Sequence, residues 1–302
     1  QDAVPVSLNV NENTHPLPEE VVADIAAALV EAVRGVNRYP DREATELREG
    51  LAGYLGHGLT AAQLWAANGS NEVVQQVLQA FGGPGRSLLS FTPTYSMYPL
   101  LAAGTDTEWI GVERPEGYAL DVEFVESAIR AHSPSITIIC TPNNPTGTST
   151  TAEVIAAAYD ATDGILIVDE AYAEFDAENP SAIALLPGRP RLLVSRTMSK
   201  AFAFAGVRLG YLAADAAVVD ALRLVRLPYH LSALTQAAAI TAVRHAGPML
   251  ATVGEIREQR DRLAVALLEL GYRVHDSGAN FLLVGGFADP AAPRMRFMGE
   301  NA

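Results

Sequence analysis

Leu192-Leu193-Val194-Ser195-Arg196-Thr197-Met198-Ser199-Lys200 is the stretch on which the reading of this chain turns. An apolar run opens into small polar residues and closes on the only lysine among 302 residues. Lys and Arg together number 21, so every other one of these cations is arginine. A coding bias toward arginine accounts for those positions and implies that the surviving lysine does something arginine cannot. A guanidinium keeps its proton, whereas an amine can release it and attack a carbonyl carbon. The stretch therefore predicts a buried strand leading to a Schiff-base lysine, and pyridoxal phosphate is the simplest cofactor for such a lysine.

Outward from this strand, short apolar runs alternate with helical periodicity. The runs lie near 87–91, 107–112, 135–140, 164–168, 191–195 and 208–212, and the helical stretches near 71–81, 95–103, 121–131 and 151–161. That alternation predicts an α/β fold, a mostly parallel sheet covered by helices on both faces. Residues 19–34 read as an amphipathic helix with Val21, Val22, Ile25, Leu29 and Val33 on one stripe, and another helix is expected near 42–55. Helices near 216–226, 232–244 and 248–270 follow, then strands at Tyr272–His275 and Asn280–Val284 in a smaller α+β region. The expected division is a large domain at 36–247 and a small one formed by 1–35 with 248–302. Asp289 to Ala302, with Pro290, Pro293 and Gly299, reads as a poorly structured tail.

A hydrophobic content of 49% predicts a large core. The formal charge of −14, without a cluster of basic residues, argues against nucleic acid or an acidic membrane as partner. One cysteine, Cys140, excludes an internal disulfide and fits a reducing compartment such as the cytoplasm. Because it closes an apolar run, Cys140 is expected to be a small buried residue. No stretch has the length of a transmembrane helix, no signal peptide is visible, and no metal site is expected. The absence of a start methionine suggests a processed chain or one that begins inside a longer protein.

Ligands in open α/β sheets collect beyond the carboxyl ends of the strands, and reactive residue types fall at those ends here. Asp169 ends one run and can pair with a protonated pyridine nitrogen. Tyr172, three residues on, can reach the ring's phenolic oxygen. Asn144, held before Pro145 in Thr141-Pro142-Asn143-Asn144-Pro145-Thr146-Gly147, can aim its amide at the same oxygen. Ser70 and Asn71 open a helix whose free N–H groups suit a phosphate. Thr197 and Ser199 add hydroxyls, and Arg208 adds a charged fork. Gly206 and Gly210 let backbone come close to it. Tyr95, after Pro93-Thr94, can stack on a flat ring. Taken singly, Asp169 as a turn cap, Ser70 as a helix cap and Tyr95 as packing are the commoner readings; the constellation is what carries the site.

Several segments make the chain similar to the fold-type I pyridoxal-phosphate aminotransferases. They are Asn9-Val10-Asn11-Glu12-Asn13, Asn37-Arg38-Tyr39-Pro40-Asp41, Gly69-Ser70-Asn71-Glu72, Pro93-Thr94-Tyr95-Ser96-Met97-Tyr98, Pro142 to Gly147, Asp169-Glu170-Ala171-Tyr172, Ser199-Lys200-Ala201-Phe202 and Ala205 to Tyr211. Within that family the histidinol-phosphate branch, of actinobacterial type, is the nearer resemblance, with aromatic aminotransferases sharing most motifs. The resemblance implies pyridoxal 5′-phosphate bound covalently at Lys200, with Asp169 at the ring nitrogen and Tyr172 and Asn144 at its oxygen. It implies Tyr95 over the ring, and Ser70, Asn71, Thr197, Ser199 and Arg208 at the phosphate. Lys200, Asp169 and Tyr172 are the catalytic candidates. Tyr39 is implied to reach the cofactor phosphate of a partner subunit in a homodimer, and Asn13 to line the substrate pocket. The implied reaction is amino transfer between L-histidinol phosphate, a small-molecule amino donor, and 2-oxoglutarate in histidine biosynthesis.

Two departures stand out. The family's N-terminal arm is short or absent here. After Gly285-Gly286-Phe287 the family continues with a strand bearing an arginine for the substrate carboxylate, whereas Arg294 and Arg296 stand in an unrelated context. Taken as written, the chain is expected to leave an apolar face of its smaller region unfilled and to bind the cofactor yet transaminate poorly.

Overall fold

The computed structural model describes residues 10–287; the tail with Arg294 and Arg296 lies outside the described residues. Two helices come first, α1 (Glu19–Arg34) and α2 (Thr45–Leu55). Strand β1 (Leu64–Ala67) leads into α3 (Ser70–Phe81), β2 (Ser87–Thr92) into α4 (Met97–Ala103), β3 (Glu108–Glu113) into α5 (Val122–His132), and β4 (Ile136–Cys140) into α6 (Ala152–Ala161). Strands β5 (Ile165–Asp169), β6 (Leu192–Thr197) and β7 (Gly210–Ala213) follow. The helices α7 (Ala216–Val225), α8 (Ala233–Arg244), α9 (Ala246–Leu250) and α10 (Val253–Glu269) come next, then the short strands β8 (Arg273–Val274) and β9 (Val284–Gly285).

Seven strands make one sheet in the order β1-β7-β6-β5-β4-β2-β3. Neighbours from β3 to β6 pair in parallel, and β7 runs antiparallel to both β6 and β1. Strands β4 and β6 are buried at every residue, as continuous apolar runs covered on both faces should be. Alternation sends their side chains into two cores. Leu192, Val194, Leu166, Val168 and Tyr211 pack on one face, and Leu193, Ile167, Ile138, Cys140 and Tyr98 on the other. The second face carries α3 and α4, and its far end becomes the cavity described below.

Most elements lie where the periodicity puts them, and α1 has the expected bounds. Three readings change. Strand β1 is not expected, because Leu64-Trp65-Ala66-Ala67 is four residues long and carries no visible alternation. The helix expected at 248–270 is two, α9 and α10, interrupted at Ala251-Thr252; the apolar period runs across the interruption and hides it. Of the strand expected at Asn280–Val284, only Val284 pairs. Ser277 Oγ instead donates to the Phe281 carbonyl at 2.6 Å and accepts from the Ala279 amide at 3.1 Å, which makes a turn. Helix α10 leaves Leu263, Val265 and Leu268 more than half exposed. Among the described residues no helix is long and apolar enough to cross a membrane.

Candidate active site

The carboxyl ends of β4, β5 and β6 open into a cavity of about 530 Å³. Ten of the residues singled out above line it: Ser70, Asn71, Tyr95, Asn144, Asp169, Tyr172, Thr197, Ser199, Lys200 and Arg208. They come from six separate segments, and the sheet is what brings them together.

Asp169 ends β5 and is 4% exposed. Tyr98 Oη donates to its Oδ2 at 2.7 Å and Ser195 Oγ to its Oδ1 at 2.8 Å. Burial pushes its carboxyl above the usual range, and the two hydroxyl donors only partly oppose this. Among the described residues no cation forms an ion pair with it. A buried carboxylate with hydrogen bonds but no counter-charge is a poor structural device and a good receptor for a cationic N–H. Tyr98 and Ser195 were not expected as site residues. Tyr98 stands in a quoted segment and Ser195 in the opening one, but their contacts join positions far apart in the chain.

Tyr172 follows two residues after the Asp169-Glu170 pair. Its oxygen accepts from Asn144 Nδ2 and from Asn11 Nδ2, both at 3.3 Å. Two donors occupy both lone pairs, so the phenolic proton is left to donate into the cavity. Burial raises the phenol well above its ordinary range and keeps that proton in place. Lys200 Nζ lies 5.7 Å from the centre of the Tyr172 ring and donates to the Val10 carbonyl at 2.8 Å. Desolvation lowers the pKa of the amine, with Arg208 helping and Glu12 opposing.

The opposite end of the cavity is built for an anion. Helix α3 starts at Gly69, with φ +88° and no side-chain cap, so its first amides are free. By contrast α5, α6, α7 and α8 are each capped by an Asp, Ser or Thr side chain. Thr197 Oγ1 donates to Ser199 Oγ at 3.0 Å and accepts from the Ser199 amide at 3.1 Å. Arg208 Nη1 reaches Ser199 Oγ at 3.4 Å from a left-handed backbone, φ +62°. The cradle depends on two glycines. A Cβ on Gly210 would stand 2.2 Å from the Ser70 nitrogen, and one on Gly69 would stand 2.5 Å from Arg208 Nη2. Gly206, expected to share this task, has open space around it.

Two expected residues are not brought to the cavity of this chain. Tyr39 is 79% exposed and stacks on Tyr229 with ring centres 4.4 Å apart. Asn13 spends its amide on the Ala201 carbonyl and Thr252 Oγ1, both at 3.2 Å, while Asn11 lines the cavity in its place. Cys140 also lines it, but burial pushes the thiol up to about 12, so it is an inert wall.

The family model for aminotransferases of class I and II matches residues 3–296. Among curated relatives, the histidinol-phosphate aminotransferase of Paenarthrobacter aurescens (strain TC1) is 57% identical over 291 residues, 95% of this chain and 78% of that protein. The histidinol-phosphate aminotransferase of Thermobifida fusca (strain YX) is 55% identical over 293 residues, 97% of this chain and 80% of that one. Among solved structures, aspartate aminotransferase from Thermus thermophilus with maleate superposes with a TM-score of 0.81 at 26% identity, covering 94% of this chain and 77% of that one. Histidinol-phosphate aminotransferase from Sinorhizobium meliloti, in complex with pyridoxal 5′-phosphate, shares the fold with a TM-score of 0.84 at 23% identity, covering 96% and 79%.

Proposed function

The chain belongs to the class I and II aminotransferases, and from that premise we propose that it transfers an amino group between L-histidinol phosphate and 2-oxoglutarate, in histidine biosynthesis, with pyridoxal 5′-phosphate as its cofactor. The observation that carries the reading is the single cavity that joins the only lysine, an uncompensated buried carboxylate and an uncapped helix start facing an arginine. A flat phosphorylated pyridine aldehyde matches these three features at once.

Bound there, the cofactor supplies an electrophilic carbon for an amine and a protonated ring that draws electrons from the substrate's Cα. Lys200 Nζ would be the covalent tether and, as a free amine, the base that moves the Cα proton. Asp169 keeps the ring nitrogen protonated, and Tyr98 and Ser195 hold Asp169 in place. Tyr172, with Asn144 behind it, donates to the ring oxygen, and Tyr95 covers the ring. The Ser70 and Asn71 amides, Thr197, Ser199 and Arg208 take the phosphate. Asn13 acts on substrate indirectly, by fixing the N-terminal segment that places Val10 and Asn11 at the site. Tyr39, exposed and aromatic, serves the phosphate of a second subunit in a homodimer, and the enzyme works in the cytoplasm. The proposed division is a large domain at 36–247 and a small one at 1–35 with 248–302, of which residues 10–35 and 248–287 are described; α1 packs on α8 of the large domain.

The test is a single-turnover comparison. The chain is loaded with pyridoxal 5′-phosphate, and the visible band of the lysine-bound cofactor is followed with L-histidinol phosphate or L-phenylalanine. Faster loss of the band with histidinol phosphate at equal concentration, reversed by 2-oxoglutarate, is expected. Faster loss with phenylalanine would make the chain an aromatic aminotransferase.

A further inference from the structure

Directly behind the cavity, on the other face of the sheet, lies a buried ionic triad that the reaction does not use. Strand alternation places it there: Asp169 and Ser195 point into the site, and the next pair, Glu170 and Arg196, points away. Arg196 donates to Glu170 Oε2 through Nε at 3.0 Å and Nη2 at 2.8 Å, and to Glu174 Oε1 through Nη1 at 3.0 Å. None of the three side chains is more than 9% exposed. Glu170 also accepts from Ser181 Oγ at 2.7 Å and from the Ala182 amide at 2.6 Å, and its own amide donates to the Ser195 carbonyl at 2.9 Å. One guanidinium thus ties the end of β6 to the end of β5 and to the turn after it.

We propose that Arg196, Glu170 and Glu174 are positioning residues: a clamp that holds Asp169 and the Thr197–Lys200 turn in the mutual geometry the cofactor needs. The proposal rests on the cofactor reading above. Each clamp residue is one step along the chain from a site residue or in the turn that carries Tyr172, so a slip of either strand end moves both halves of the site.

The clamp also holds a proton. Two carboxylates face one guanidinium in a dry environment, which would leave a net buried negative charge if both were ionised. Glu174 is the one that keeps its proton. Glu170 has four donor contacts, whereas Glu174 Oε2 is buried with no partner among the described residues, as is the Tyr211 hydroxyl. The other ionisable groups facing Glu174 are Tyr54 from α2 and Tyr211 from β7, both neutral phenols raised by burial. Burial raises the Glu174 carboxyl too, only partly offset by Arg196.

Three variants test this on the chain with pyridoxal 5′-phosphate. Glu174→Gln mimics the protonated acid and is expected to keep the wild-type melting temperature within about 2 °C and cofactor affinity within about twofold. Arg196→Lys keeps the charge but loses the fork. It is expected to weaken cofactor affinity at least about fivefold and to move the pH midpoint of the visible band, which mere loss of stability would not move. Glu170→Gln is expected to act in the same direction as Arg196→Lys. A melt of Glu174→Gln as low as that of Glu170→Gln would overturn the proton assignment. Wild-type midpoints and affinities in Arg196→Lys and Glu170→Gln would overturn the clamp, and failure of both to fold would reduce it to a structural pair. If wild type shows no visible band, the cofactor reading fails, whereas the melts still decide the proton assignment.

Discussion

Asp169 is where charge and environment disagree most. Its carboxyl is buried, accepts two hydroxyl hydrogen bonds and has no cation among the described residues. Replacing it by asparagine keeps the shape, and one of the two hydroxyls can turn from donor to acceptor to meet the new amide N–H, so the Asp169→Asn protein should fold and melt near wild type. It cannot hold a proton on a ring nitrogen, so turnover should drop on the order of 100-fold or more, the scale at which positioned proton-handling groups act. Normal turnover in the folded variant would reduce Asp169 to a turn cap. Lys200 makes a second claim at this scale. Desolvation lowers its pKa, so the free amine forms at a lower pH than on a surface lysine. Capture of pyridoxal 5′-phosphate should therefore reach half its maximal rate below the ordinary lysine range, and borohydride should fix the label on the Lys200 peptide alone. A midpoint at or above that range, or a second labelled side chain, would count against this assignment.

At the scale of elements, the phosphate end of the cavity is made by two pieces of backbone that touch. Strand β7 begins at Gly210, opposite Ala67 of β1, and the start of α3 sits against it. Gly210→Ala puts a methyl group 2.2 Å from the Ser70 nitrogen. That overlap is with backbone and cannot be relieved by a rotamer change, so α3 must shift. A stability loss of about 1–3 kcal/mol is expected, the usual cost of overpacking. Cofactor affinity should fall about tenfold, or about 1.4 kcal/mol. Gly254→Ala in α10, where nothing lies within 4 Å, is the control and should be neutral or stabilising. Equal affinities in the two variants would show that the α3 start does not bind the phosphate.

On the scale of the whole molecule, the exposed Tyr39–Tyr229 stack stands apart from the cavity that the other cofactor residues share. If Tyr39 serves a neighbour's site, complementation follows. Lys200→Ala chains are inactive and Tyr39→Phe chains weakened. A mixed dimer has one site with both lesions and one with neither, so activity should recover on mixing. A fully active monomer at assay concentration, or mixtures that never exceed the average of their parents, would remove Tyr39 from the site.

Several features were determined by the sequence alone. Short continuous apolar runs, too short for buried helices and bounded by turn residues, read as strands covered on both faces, and their alternation with helical periods gives a mostly parallel α/β sheet. The chemistry of amine and guanidinium makes a lone lysine after such a run conspicuous, and the residue types at the other strand ends name the cofactor class. Other features were decided only by the tertiary structure. Tyr98 and Ser195 meet Asp169 across 71 and 26 residues. Asn11 displaces Asn13 from the cavity, and Gly210 shares the cradle with Gly69 where Gly206 does not. The Arg196 triad is unreadable in one dimension, because its members are ordinary charged residues until the pleat turns them away from water together. Local pattern fixes which face a side chain takes; which groups it meets there depends on sheet order and register, properties of the folded chain as a whole.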